Sequence, residues 1–152
     1  MISNTIPTDV LKYELRNLQI KMAEESRSSY LTFVKKVWPE FIMGNHHEII
    51  AKKLEAVSRG EIKRLIVNMP PRHTKSEFAS YLFPAWMMGL NPKLKIIQTT
   101  HTAELSYRFG RKVRNLMDQE EYKNVFKDIS LSQDSKAAGR WETNMGGEYF
   151  AA

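Results

Sequence analysis

Residues 61–78, EIKRLIVNMPPRHTKSEF, decide how the chain is read. Leu65, Ile66 and Val67 form a short apolar run with little alternation, which predicts a strand buried on both faces. Residues 69–74 read as a loop. From about 75 to 88 the pattern predicts a helix carrying Phe78, Ala79, Leu82, Phe83 and Trp86. Pro84 removes one backbone donor and predicts a kink in it. Gly89, Asn91 and Pro92 break the chain, and Leu94 to Thr99 predict a second buried strand. Strand, loop, helix, strand is a βαβ unit, whose crossover is right-handed and whose strands are parallel. Ligands in such sheets bind beyond the carboxyl ends of the strands, so the loop at 69–76 is the first place to look for chemistry.

That loop ends in Lys75-Ser76, the end of the phosphate-loop pattern G-x-x-x-x-G-K-[ST], but Met69 and Thr74 replace its two glycines. The physics works without them. Pro70 and Pro71 offer no N–H and keep Met69 and Pro70 extended. The N–H groups of Arg72, His73, Thr74, Lys75 and Ser76 remain at a helix N-terminus, where the dipole favours an anion. Lys75 would reach the β- and γ-phosphates of ATP, and the Ser76 hydroxyl would bind Mg²⁺. Arg72 adds a planar fork suited to phosphate. Thr74 is the awkward residue, because a β-branched side chain resists positive φ. A competent loop keeps residue 74 at negative φ or tolerates strain. The bland alternative is a basic, proline-containing loop ahead of a helix-starting serine.

Around this unit the chain is ordinary. It has 152 residues, 23 Lys+Arg against 17 Asp+Glu for a net +6, and no Cys. That length fits one domain with an apolar core. Disulfides and thiolate zinc sites are excluded. No run approaches the roughly 18 apolar residues of a membrane span, and the N-terminus has no secretory pattern, so the cytosol is the expected compartment. A pI near 9.5 makes nucleic acid the first acidic partner to consider, with plain solubility as the rival reading. Thr8 can cap a first helix with Leu11, Leu15, Leu18 and Met22 at helical spacing. Ser28 or Ser29 starts a second, with Tyr30, Phe33, Val34 and Val37, ended by Pro39. A third runs from about His46 to Arg59, with Ile50, Leu54 and Val57 inward and Gly60 after it. A long amphipathic helix with Leu105, Phe109, Val113 and Leu116 follows the second strand. A short helix near Glu120–Phe126 and two short strands around Asn144–Gly147 complete the pattern.

The stretches 61–92, 102–115 and 137–152, with HHEII at 46–50, resemble the N-terminal ATPase region of tailed-phage terminase large subunits, over roughly residues 28–152. The resemblance implies an α/β, partial P-loop NTPase fold, with a parallel sheet flanked by helices and an N-terminal helical extension. Residues 1–60 would be the helical segment and 61–152 an incomplete ATPase core. The implied activity is ATP-driven packaging of double-stranded DNA into a bacteriophage procapsid in the host cytoplasm; in the full-length family an endonuclease accompanies it. The implied partners are DNA, a portal protein, a small terminase subunit and further copies in a ring. Lys75, Ser76 and Arg72 would be the nucleotide residues, and His47 would lie near the adenine. The family's acidic magnesium and water-positioning residues follow the Trp141-Glu142-Thr143 segment, in a strand beyond Ala152. The chain is therefore expected to bind nucleotide without turning it over.

Other candidates have competing readings. His46, His47, His73 and His101 have no metal-ligand spacing and read as caps or packing groups. Thr100 reads as a helix N-cap, or with His101 as a strand end that senses the γ-phosphate. Arg108, Arg111, Lys112 and Arg114 read as a DNA-tracking face, a solvated helix face or a subunit contact. Arg140 reads as a phosphate or subunit contact, or as a structural partner of Glu142 or Glu148. Two rival functions follow: a non-catalytic nucleic-acid-binding module using residues 108–114, or a fragment of a helicase-type translocase.

Overall fold

A computed structural model describes residues 7–152, the side chains of 134–136 excepted. Three helices come first: α1 (Thr8–Ser28), α2 (Tyr30–Val37) and α3 (Asn45–Ser58). A π-helical segment, Glu77–Leu82, runs into α4 (Phe83–Leu90). Then follow β1 (Lys95–Gln98), α5 (Ala103–Met117), α6 (Glu120–Val125), β2 (Leu131–Lys136), β3 (Arg140–Thr143) and β4 (Glu148–Ala151). Among the described residues no helix is long and apolar enough to cross a membrane.

The chain folds as α/β, but the sheet corrects two expectations. Its order is β1-β4-β3-β2, and only the β1–β4 pairing is parallel. The expected strand at Leu65–Val67 is not formed, so no βαβ unit closes among the described residues. Ile66 is 86% exposed, against the prediction of burial on both faces. A strand needs a ladder partner, and none of the sheet's strands pairs with this segment. β1 likewise has one neighbour, and Ile97 on its open face is 72% exposed.

The other face of the sheet is closed by α5. Trp141 and Tyr149 stack in register with ring centroids 4.9 Å apart, and Trp141 Nε1 donates to the Gly110 carbonyl at 3.2 Å. Glycine is required at 110 by contact: a Cβ there would lie 2.5 Å from the Ala138 carbonyl oxygen. Gly110→Ala gains up to about 1 kcal/mol of helix propensity. The backbone overlap costs about 1–3 kcal/mol, so a net loss is expected. A fall in the urea midpoint at constant m would register it, and an unchanged midpoint would show that the seam yields.

One apolar cluster joins the helical segment to the rest. Tyr30, Phe33 and Val34 of α2 pack with Phe78, Leu82, Trp86, Leu116 and Tyr122. The expected kink at Pro84 takes the form of the π segment: the Phe83 N–H reaches back five residues to the Phe78 carbonyl. Pro84 has no N–H to continue the α-helical ladder, and its ring crowds the carbonyl four residues earlier. The Phe78 carbonyl also accepts the Tyr30 hydroxyl at 2.6 Å. Two caps shift from expectation. The residue before α1 is Pro7, with Thr8 already helical, and Thr102, not Thr100, caps α5 by accepting the Leu105 N–H. Ser29 caps α2 as one of the two residues expected. The apolar stripe of α1 stays uncovered, with Leu15 and Leu18 more than half exposed; only Ala23 and Ser26 are buried.

Candidate anion-binding loop

Pro70 and Pro71 lead into a tight bend, and helical structure starts at Lys75. The Phe78 N–H bonds to the Thr74 carbonyl at 2.9 Å, the first bond of that helix. Its first turn therefore leaves the N–H groups of Lys75, Ser76 and Glu77 without intrahelical acceptors. Arg72, Lys75 and Ser76 are exposed around them. Residues 69–72 and 74–77 line a cleft of about 450 Å³.

The backbone takes the strained branch of the sequence expectation. Arg72 has φ 65 and Thr74 φ 58, both left-handed. For a β-branched residue this costs on the order of 1–3 kcal/mol and persists only where neighbours impose it. Two contacts do so. The Thr74 hydroxyl donates to the His73 carbonyl at 2.7 Å, and it lies 2.5 Å from His47 Nε2. His47 Nδ1 accepts the Gly44 N–H at 2.9 Å, the reciprocal half of a capping arrangement at the start of α3. His73 Nδ1 lies 2.9 Å from the Pro71 carbonyl oxygen.

His47 is buried between Phe41 and Phe78, whose ring centroids lie 4.8 and 5.0 Å away. The His46 ring is 3.8 Å from it, and the His73 ring is 5.8 Å from His46. Burial, then the neighbouring His46 and His73, lower the His47 pKa from its ordinary 6.5. The folded state thus holds a neutral imidazole more firmly than the unfolded chain does. That contribution to stability is present above about pH 6.5 and is lost as pH falls towards the lower folded value.

Comparison with family models, curated proteins and solved structures finds no match. The site is therefore read from its own residues. Lys112 of α5 bonds both oxygens of Glu77, at 2.9 and 3.0 Å, and lies 4.9 Å from the centre of the Tyr81 ring. This cation neutralises the carboxylate nearest the loop, which would otherwise repel an anion. The Ser76 hydroxyl is exposed beside the cleft and fits Mg²⁺, which keeps most of its waters and takes one or two protein ligands beside substrate phosphates. No group of three His, Cys, Asp or Glu is placed to hold a metal among the described residues.

The remaining candidates scatter. Arg108 and Arg111 are exposed on α5, while Arg114 is half-buried with its guanidinium against Asn115. Arg140 pairs with Glu148 at 2.6 Å. His101 is exposed, and the Thr100 hydroxyl bonds the Thr102 carbonyl and Ser106. Two contacts of the site escape sequence reasoning, although it singles out both His47 and Lys112, for a place near the adenine and for a DNA or subunit contact. The contacts of His47 with Thr74 and of Lys112 with Glu77 span 27 and 35 residues, and no local pattern marks either.

Proposed function

We propose that this chain is the ATP-binding portion of a viral ATPase that packages double-stranded DNA. The observation that carries the nucleotide half of this reading is the loop. Exposed Arg72, Lys75 and Ser76 surround a helix N-terminus at which N–H groups lack intrahelical partners. The packaging half is supported by the sequence resemblance. Phosphates would sit against the first helical turn, with Lys75 on the β- and γ-phosphates, Arg72 on an outer oxygen and Mg²⁺ bridging to Ser76. Among the residues lining the cleft the one carboxylate is Glu77, held by Lys112. The lining supplies no free carboxylate to orient an attacking water, which favours nucleotide retention over turnover. Calorimetric titration with ATP and Mg²⁺ should give saturable one-site binding with negligible phosphate release. Steady hydrolysis by this chain would sink the retention half of the reading.

A second reading attaches to α5, because Arg108 and Arg111 are exposed three residues apart on one helical face. As a DNA-tracking face they would give duplex binding that weakens steeply with salt. Arg108→Ala with Arg111→Ala should flatten that salt dependence by about two charges. An unchanged slope would return both arginines to a solvated face.

A further inference from the structure

We propose that His47 is a positioning residue for the anion loop: through Thr74 it holds the left-handed turn that presents Lys75 and Ser76, and it does so only as a neutral imidazole. The proposal rests on the anion-site reading above and adds a control to it.

The hydrogen bonds leave little freedom. The Thr74 hydroxyl has one proton, which it gives to the His73 carbonyl. The proton between Thr74 and His47 must then come from His47 Nε2. Nδ1 is left as an acceptor, and the Gly44 N–H occupies it. One tautomer thus serves the loop and the start of α3 together. A second proton on Nδ1 would turn the Gly44 contact into donor against donor, releasing the ring that holds Thr74. The titratable groups facing His47 are His46 from its own helix and His73 from the loop. Phe41, from the segment before α3, and Phe78, from the π segment, add no charge. No carboxylate is among the groups that act on His47 to favour its charged form. Glycine at 74 would need no such support, because it adopts positive φ freely.

The test compares wild type, His47→Phe, Thr74→Gly and the double variant, as full chains. In ligand-free protein, backbone shifts and coupling constants of Thr74 read its φ by NMR. The left-handed signature is expected in wild type at pH 8, and its loss in His47→Phe and in wild type at pH 4.5. A folded His47→Phe that keeps the signature overturns the proposal. Should that variant not fold, Thr74→Val keeps the branched side chain, removes the hydroxyl and is expected to lose the same signature. Inorganic tripolyphosphate is the binding probe. His47→Phe should bind about tenfold more weakly at pH 8, with the double variant restored to the level of Thr74→Gly. Wild-type affinity relative to Thr74→Gly should fall from pH 8 to 4.5, well below the ordinary imidazole range from which the His47 pKa is lowered, a ratio that cancels titration of the probe itself. Equal ratios at both pH values overturn the control. If wild type takes no tripolyphosphate, the anion-site reading fails, and the NMR comparison still decides the role of His47.

Discussion

Lys75→Ala is expected to reduce ATP affinity by at least about tenfold to a hundredfold while leaving the fold intact. A charge-assisted hydrogen bond to phosphate contributes about 1.5–3 kcal/mol, and the lysine charge adds to it. The fold is spared because Lys75 is exposed and stability changes at such positions stay within about 0.5 kcal/mol. Lys75→Arg restores the charge but not the geometry, since a planar fork replaces a compact ammonium, so only partial recovery is expected. Titration of each variant with ATP and Mg²⁺, beside a denaturant curve, separates binding from folding. Equal affinity in wild type and Lys75→Ala would remove the loop from any account of nucleotide binding.

The largest stability effect is expected at Trp86. Its side chain is 2% exposed, lies 5.3 Å from Tyr30 and donates from Nε1 to the Ser26 carbonyl at 2.9 Å. It thereby ties the end of α1 and the start of α2 to α4. Truncation of a buried Trp to Ala costs about 3–5 kcal/mol, before the lost partner of the Ser26 carbonyl is counted. Against a total of about 5–15 kcal/mol, Trp86→Ala should leave the chain unfolded or close to it. Trp86→Phe keeps most of the packing and should cost far less. Leu18, apolar but 54% exposed on α1, is the control: Leu18→Ala should stay within about 0.5 kcal/mol. Equal losses at the two positions would mean that α1 folds onto a surface in solution.

The contrast between Trp86 and Leu18 shows how far a sequence reading carries. Helix spacing identified both as apolar-face residues, and only packing separates them. Where a boundary is local chemistry, as at Ser29 ahead of α2 or Gly146 at φ 85 between β3 and β4, the residues announce it. Leu65-Ile66-Val67 shows the opposite case. An apolar run states that burial is needed, but not which chain supplies it. β2 went unpredicted because it is polar and pairs by register with β3, a long-range choice. In the site, the types of Arg72, Lys75 and Ser76 and their place before a helix were legible. The choice at Thr74 between negative φ and strain was legible too; its outcome and the His47 contact were not, because a strained conformation is set by a contact from another element.

The open edge of β1 has a consequence for handling the molecule. Its outward N–H and C=O groups, beside exposed Ile97, make a template onto which a second extended chain can pair. Lys95 sits on that strand with its side chain 73% exposed and its ammonium 3.9 Å from Glu148, a charge of the sort that discourages such pairing. This four-residue edge is thus one route to self-association of concentrated protein, beside the uncovered apolar stripe of α1.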